Sequence, residues 1–180
     1  MSNRIVVVDY DPQWPEVFAD IRQVLVVALG DVPVTAIEHI GSTSVAGLAA
    51  KPIIDIDVVV DRSQVGRATD ALTRAGYTAL GDMGVVDRYA FRAPPGAPRQ
   101  NVYITVDGCL SLRNHLGLRE VLRNDSRLRD EYSAVKRALS DSTDDIDVYV
   151  DGKTDVIRRI LEQAGLAQHE LDEIEGANRL

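Results

Sequence analysis

The hydrophobic pattern of the chain changes from a helical period to short strand-like runs and then returns to a helical period. Apolar residues spaced three and four apart between Val17 and Leu29 predict a helix that ends at Gly30. An amphipathic helix at 63–75 interrupts five runs of strand type, at 35–40, 53–60, 77–80, 88–92 and 102–106. The helical period then returns at 116–122, 128–139 and 156–164. This order favours an α+β domain, with a small mixed β-sheet covered by helices and a helical C-terminal part.

Three segments have a less regular pattern. The run 5–8 fits an edge strand or an ordered lead-in, and 43–50 has room for a helical turn or two before Pro52. Residues 169–180 are expected to form a polar C-terminal tail with a frayed end. With 180 residues, 45% of them hydrophobic, the chain has the size of one domain, which we predict to span 1–168.

Two aspartates lie in the most apolar of the predicted strands, IIDIDVVV at 53–60. Residues two apart on a strand point to the same side, so Asp55 and Asp57 share one face while isoleucine and valine cover the other. Two adjacent carboxylates repel each other, and a divalent cation relieves that repulsion. Carboxylates together with substrate phosphates suit Mg²⁺ or Mn²⁺. The pair therefore indicates a metal site, although such aspartates also pair with arginine or end a strand.

A Gly-Ser-Thr-Ser turn precedes these aspartates and supplies groups that bind phosphate. Gly41 lets the backbone approach a ligand closely, and the amides at a following helical turn favour an anion. Ser42, Thr43 and Ser44 add hydroxyl donors. A phosphate-binding turn followed by a metal pair predicts a site for a nucleoside triphosphate with Mg²⁺, and phosphoryl or nucleotidyl transfer as its chemistry.

Composition limits the partners. The formal net charge of -8 argues against binding to a nucleic-acid backbone, where basic surface supplies most of the affinity. The lone Cys109 fits a reducing compartment and is expected to be a small apolar filler. No window approaches the roughly 18 apolar residues of a transmembrane helix, and no signal peptide is visible. These features predict a cytoplasmic protein without a membrane partner, and they leave the oligomeric state open.

Six segments follow one another in an order that matches a known family. They are YDPQWPEVF (10–18), EHIGSTSVAGLAAKPIIDI (38–56), AGYTALGD (75–82), NHLGLREVLR (114–123), YSAVKRAL (132–139) and YVDGKTDVI (149–157). Together they resemble the GrpB family, within the nucleotidyltransferase-fold superfamily, over nearly the whole chain from Val6 to about Leu166. The resemblance implies a nucleotidyltransferase-like fold. It also implies that Gly41 and Ser42 contact the β- and γ-phosphates, and that Asp55 and Asp57 hold metal while an acceptor hydroxyl attacks the α-phosphorus.

The third acidic position of the superfamily has no obvious equivalent in this chain. Catalytic members usually carry that acid on a neighbouring strand, where it helps to bind a metal and can act as a base. GrpB relatives tend to carry a His-x-His on the strand that here reads NVYITVDG, and the matching positions are Asn101 and Tyr103. The alternatives that the sequence offers are Asp107, Glu38 and His39.

Other polar residues are candidates for the pocket, each with a structural alternative. Lys51 could reach a phosphate or be solvated, and Arg88 could bind phosphate or pair with the aspartates. The remaining candidates are His115, Arg119, Tyr149 and Lys153. The leading hypothesis is a metal-dependent transfer of a nucleotidyl group from a triphosphate to a small-molecule acceptor. The alternatives are a degenerate protein that binds a nucleotide or another small ligand, and a different group-transfer or ligation reaction in the same pocket.

Overall fold

A computed structural model describes residues 4–178 and shows a five-stranded sheet between two groups of helices. The strands are β1 (Ala36–Ile40), β2 (Ile54–Val60), β3 (Thr78–Gly81), β4 (Arg88–Arg92) and β5 (Gln100–Val106). The helices are α1 (Trp14–Leu29), α2 (Val65–Arg74), α3 (Leu110–Asn124), α4 (Ser126–Ser142), α5 (Ile146–Asp151), α6 (Thr154–Gln163) and α7 (Gln168–Asn178). Short 3₁₀ turns at Ser42–Ser44 and Arg62–Gln64 precede β2 and α2. The prediction of an α+β domain with a mixed sheet is confirmed.

The strand order is β1-β2-β5-β4-β3, which places β2 and β5 at the centre of the sheet. β2 and β5 run parallel, with Asp55 beside Asn101 and Asp57 beside Tyr103. The other neighbours pair antiparallel, and β1 sets Glu38 beside Asp57. Because residues that pair across a sheet share a face, the register brings polar side chains from three strands to one face.

The two faces of the sheet are covered by different helices. On one face, Ile54, Ile56, Val58 and Val60 of β2 are at most 2% exposed and pack in a cluster with residues of α1 and α2. α3 lies over the opposite face, against β1 and β5. A second apolar cluster joins the segment after the Ser42–Ser44 turn to α3, α4 and α6. The site described below lies between the second face and this helical part.

Several local expectations differ from the structure. Residues 5–8 make one backbone bridge, Val8 to Ala50, instead of an edge strand. In the segment 43–50 only the 3₁₀ turn forms, and Gly47 has a φ of +79° that a helix does not accept. The third predicted helix is longer than 116–122, because the Cys109 sulfur accepts a hydrogen bond from the Leu112 N–H and caps a helix that begins at Leu110. Cys109 is therefore a cap, not only a filler.

The polar segment after Leu166 is ordered over the residues that the structure describes. It forms α7, in which Leu171 and Ile174 are buried against Leu161 and Leu166. The predicted polar tail forms a helix as far as it is described, because two apolar residues in a polar sequence are enough to dock one side of a short helix. The expected frayed end falls on residues 179–180, which lie outside the described part of the chain. None of the helices in residues 4–178 is both long and apolar enough to cross a membrane.

Candidate functional site

Asp55 and Asp57 lie at the centre of the sheet, on the face under α3. Asp57 is 0% exposed, whereas Asp55 is half-buried. The Asn101 amide donates a hydrogen bond of 2.7 Å to Asp55 Oδ1, and His115 Nδ1 lies 2.7 Å from Asp57 Oδ2. Asp57 Oδ1 is buried and has no hydrogen-bond partner among the described residues. A buried carboxylate oxygen without a partner is costly, so this acid pair is built for something besides folding.

Gly41 holds the phosphate-type turn against the acid pair. Its φ of 68° and ψ of -172° belong to a region that is accessible essentially to glycine alone. A Cβ at this position would lie 2.3 Å from Asp55 Oδ2, so the backbone approaches the carboxylate more closely than any side chain would allow. Two hydrogen bonds hold the turn in place. The Ser44 hydroxyl donates to Gly41 O at 2.6 Å, and the Arg123 guanidinium donates to Ser44 O at 2.9 Å.

A cavity of about 240 Å³ opens between this turn, the acid pair and helices α4 to α6. We call it the lysine cavity, because all three lysines of the chain line it: Lys51, Lys136 and Lys153. Lys136 Nζ donates to the Ser42 hydroxyl at 2.9 Å and lies 4.3 Å from the ring centre of Tyr132. The other lining residues are Gly41, Ser42, Thr43, Ile53, Asp55, Asn101, Leu118, Tyr132 and Tyr149.

Burial suppresses charge in the lysine cavity. Desolvation, reinforced by the positive charges of Lys153 and Arg137, lowers the pKa of Lys136 to about 6. Desolvation and the Lys51 charge lower the pKa of Lys153 to about 8. Desolvation also raises the pKa of Asp55, although the Asn101 hydrogen bond opposes it. A polyanion in this cavity would favour the protonated lysines, so the arrangement suits a phosphate chain better than a neutral ligand.

Not all of the candidate residues face the cavity. His39 lies on the other side of β1, where Nε2 is 3.0 Å from the Thr43 hydroxyl and the ring stacks on Phe18. Desolvation lowers the pKa of His39 to about 4, which keeps the ring neutral. Arg119 donates to Glu38 at 2.7 Å and to the His39 carbonyl oxygen at 2.9 Å, so it joins α3 to β1. These contacts are structural.

Among residues 4–178, neither Glu38 nor Asp107 offers a free third carboxylate beside Asp55 and Asp57. Glu38 shares their face but is paired with Arg119, and Asp107 lies beyond the end of β5. Residues 4–176 contain no cluster of three or more His, Cys, Asp or Glu residues that could hold a metal ion by themselves. A cation at this site would therefore need ligands besides protein side chains.

Lys136 and Tyr132 belong to the site, and the sequence analysis did not select them. Tyr132 was assigned to the apolar stripe of α4, and Lys136 follows it four residues later on the same side of the helix. A lysine that continues an apolar stripe is the signal that could have identified it, because a buried lysine needs a partner. Lys136 is 2% exposed.

Comparisons with known proteins match both the sequence and the fold. The family model described as GrpB protein matches residues 4–163. A UPF0157 protein of Streptomyces coelicolor is 40% identical over 164 residues, which cover 89% of this chain and 84% of that protein. The crystal structure of the GrpB protein from Enterococcus faecalis has a TM-score of 0.78 and 32% identity, and the match covers 94% of this chain and 99% of that one.

Two further matches are partial. The Cid1 poly(U) polymerase, in a crystal structure with MgGTP bound, has a TM-score of 0.54 and 15% identity over 72% of this chain and 43% of that chain, which shows a shared fold alone. A dephospho-CoA kinase of Mycolicibacterium paratuberculosis is 32% identical over 168 residues, which make up 78% of this chain and 41% of that protein. From the family model, the curated relatives and the shared fold, we conclude that this chain is a member of the GrpB family with a nucleotidyltransferase-like fold.

Proposed function

We propose that this protein binds a nucleoside triphosphate together with Mg²⁺ (or Mn²⁺) and transfers its nucleotidyl group to a small-molecule acceptor. The observation that carries the proposal is the junction at Gly41, where a cavity lined by three lysines meets Asp55, with the buried Asp57 on the same face of β2. The negative charge of a triphosphate matches this arrangement. Its β- and γ-phosphates need cations such as the lysines, and its α-phosphate needs a metal.

The donors of the acid pair fit a divalent cation. Asp57 Oδ1 is a buried oxygen without a hydrogen-bond partner. A bound cation would offset the desolvation that raises the pKa of Asp55. Two carboxylates are too few for a cage made by the protein alone, but Mg²⁺ commonly binds through one or two carboxylates plus substrate phosphates and water. The requirement for additional ligands therefore agrees with a cation that arrives with a nucleotide.

In the proposed reaction, each group of the chain has a separate task. Lys51, Lys136 and Lys153 hold the β- and γ-phosphates, and the Gly41–Ser42 backbone lets these phosphates lie against the turn. Asp55 and Asp57 hold the cation, which would stabilise the charge that develops at the α-phosphorus and the leaving pyrophosphate. His115 and Asn101 orient the two carboxylates through one hydrogen bond each.

A small acceptor fits the charge of the molecule better than a nucleic acid does, because the net charge is -8. The dephospho-CoA kinase match adds dephospho-CoA to the acceptors worth testing, although most of that protein lies outside the matched region.

A second candidate function is binding of a nucleotide or another small ligand without transfer. The observation that favours it is the pair Asn101 and Tyr103, which stand beside Asp55 and Asp57 where an acid or base would complete the site. Desolvation raises the pKa of Tyr103 to about 12, so its hydroxyl is a poor base near neutral pH. A different group-transfer or ligation reaction is the remaining alternative, and it would use the same cavity without requiring a triphosphate.

Calorimetric titration separates these functions. Wild-type protein is titrated with ATP, GTP, CTP and UTP, with and without Mg²⁺, beside Asp55→Asn and the control Asp70→Asn, an exposed position on α2. The proposal expects binding that requires Mg²⁺ and is weakened at least about 100-fold in Asp55→Asn but not in Asp70→Asn. Pyrophosphate release with an acceptor then distinguishes transfer from binding alone. If no nucleotide binds, nucleotidyl transfer and nucleotide binding are both wrong, and binding of another small ligand or a different group-transfer reaction remains.

A further inference from the structure

A second cavity lies at the other end of the acid pair, and nothing above assigns it a role. It has a volume of about 220 Å³, and Arg88 lies at its wall, so we call it the Arg88 cavity. Besides Arg88, its polar lining residues are Ser111, Asn114 and His115 of α3 and the exposed Glu173 of α7. Its apolar lining residues are Val85, Val86, Leu110 and Ile174.

The Arg88 cavity and the lysine cavity are joined through the acid pair. A smaller cavity of about 190 Å³ lies between them and is lined by Asp55, Tyr103 and His115. It shares Gly41 and Asp55 with the lysine cavity, and it shares Asn114 and His115 with the Arg88 cavity. The three cavities therefore adjoin one another across the sheet, with Asp55 and His115 between the two larger ones.

Arg88 has unused capacity to bind an anion. Its Nε atom is buried without a hydrogen-bond partner, and its guanidinium lies 5.0 Å from the ring centre of Tyr103. The adjacent Asp87 does not neutralise it, because Asp87 accepts two hydrogen bonds from Arg62, at 2.6 and 2.5 Å. Among the described residues Arg88 makes no ion pair. A buried guanidinium N–H without an acceptor is costly, and a carboxylate or phosphate would satisfy it.

The mouth of the Arg88 cavity is apolar. Val86 is 71% exposed and Met83 beside it is 64% exposed, although both are hydrophobic. The loop that carries them is held in an unusual shape, since Met83 and Asp87 have φ values of 51° and 63°. An apolar group of a ligand in this cavity would cover Val86 and remove its exposed side chain from water.

We propose that the Arg88 cavity binds the acceptor, and that the acceptor carries a carboxylate or a phosphate next to an apolar group. This inference rests on the proposed nucleotidyl transfer. In an in-line displacement the attacking oxygen and the leaving group lie on opposite sides of the phosphorus. With the leaving pyrophosphate in the lysine cavity, the attacking group must come from the side on which the Arg88 cavity lies.

The step balances without a further reactant. The acceptor hydroxyl oxygen forms a bond to the α-phosphorus, and the bond from the α-phosphorus to the oxygen that bridges to the β-phosphorus breaks. Pyrophosphate leaves with that electron pair, and the hydroxyl proton passes to solvent. Arg88 is a specificity determinant in this scheme, because it binds the acceptor's anionic group and does not touch the reacting atoms.

The test uses small probes in place of the unknown acceptor. Phenyl phosphate and phenylacetate carry the two anionic groups, and benzyl alcohol is the neutral control. Each is titrated into isotope-labelled full-length protein, first alone and then with Mg²⁺ and a non-hydrolysable ATP analogue, while the amide signals of Val85, Val86 and Ile174 are followed by NMR. We expect at least one anion to shift these signals, with a Kd about tenfold or more below that of benzyl alcohol.

Two variants and one control test whether the anion binds in the Arg88 cavity. Arg88→Gln is expected to weaken the anion about tenfold or more while changing the Kd of the Mg²⁺-dependent nucleotide less than twofold. Val86→Asp, at an exposed position that folding does not depend on, is expected to weaken the anion about threefold or more by charge repulsion. Lys153→Gln is the control, expected to weaken the nucleotide and leave the anion unchanged.

Three outcomes would overturn the inference. In the first, neither anion shifts the three NMR signals. In the second, both variants bind the anion like the wild type. In the third, Arg88→Gln weakens nucleotide binding by the same factor as anion binding, which would place the nucleoside in this cavity. Failure of the proposed function looks different, because the anion would still bind near Arg88 while no nucleotide binds with Mg²⁺.

Discussion

The two faces of the central sheet are made by the same strands and have opposite character. On the α1–α2 face, β2 and β5 contribute isoleucine and valine side chains to one buried apolar cluster: Ile54, Ile56, Val58, Val60, Val102 and Ile104. On the α3 face, the intervening residues include Asp55, Asp57, Asn101, Tyr103 and Thr105. The first face gives the domain its stability, whereas the second carries polar groups that packing alone does not explain.

The hydrogen bonds of the two faces make this contrast sharper. Among the described residues, three buried side-chain atoms lack a partner: Asp57 Oδ1, Arg88 Nε and Thr105 Oγ1. All three lie on the α3 face, because Arg88 pairs with Thr105 and Thr105 alternates with Tyr103, the neighbour of Asp57. The unsatisfied buried groups lie on one face alone, which indicates that polar groups are kept on that face at a cost in folding stability.

The largest expected change in stability comes from the apolar face. Ile56→Ala removes a side chain that is 0% exposed and should lower the free energy of unfolding by about 2–5 kcal/mol. Asp57→Asn, one residue away on the other face, should change it by less than about 1 kcal/mol, since the amide oxygen can keep the His115 contact and Oδ1 has no partner to lose. Urea unfolding of both variants measures this, and a larger loss in Asp57→Asn would contradict the division between the faces.

Gly41→Ala should have the next largest effect, because it forces a side chain into the acid pair. The backbone conformation alone costs about 1–3 kcal/mol for a residue other than glycine, and the new Cβ also meets Asp55 Oδ2. Gly81→Ala is the matched control, since Gly81 has a φ of +79° but nothing within 4 Å of the built Cβ. Unfolding measurements should show a larger loss for Gly41→Ala. Equal losses would mean that the close approach to Asp55 has no energetic consequence.

Measured per pH unit, the smallest effect is a pH dependence from Lys136. Desolvation lowers the pKa of Lys136 from its ordinary value of 10.5 to about 6 in the folded protein, so the unfolded chain binds more protons between these limits and the wild type gains stability as pH rises. Lys136→Met removes that slope of at most about 1.4 kcal/mol per pH unit. Urea unfolding at pH 6, 7.5 and 9 should therefore show the variant losing its advantage over the wild type as pH rises. The exposed Arg74→Gln serves as control and should run parallel to the wild type.

The sequence predicted the acid face of β2 well, because strand alternation is a local property. Asp55 and Asp57 share a face because residues two apart on a strand point to the same side, and the Gly41 turn packs against Asp55. Adjacent residues of a strand point to opposite faces of the sheet, so Glu38 shares the face of Asp57 while His39 points to the opposite side. The sequence analysis kept both as candidates because the register of β1 on β2 depends on contacts that are distant along the chain.

The parts that sequence reasoning did not find depend on packing between distant segments. Lys136 enters the lysine cavity only because α4 docks on the Ser42 turn, 94 residues earlier in the chain. Ile174 reaches the Arg88 cavity from a segment whose polar composition suggested a frayed tail. Local patterns predict which face of an element is polar, but they do not predict which polar faces meet.

The central claim is that the α3 face is a metal-dependent nucleotide site, and Mn²⁺ binding tests it most directly. Electron paramagnetic resonance measures free Mn²⁺ while protein is added, with and without a non-hydrolysable ATP analogue. A comparison of wild type with Asp57→Asn, after subtraction of Mn²⁺ bound by the analogue alone, should show one tight Mn²⁺ per wild-type chain only when nucleotide is present. The same site should be lost in the variant, whose fold is retained. Identical Mn²⁺ binding in both proteins, or none in either, would contradict the account.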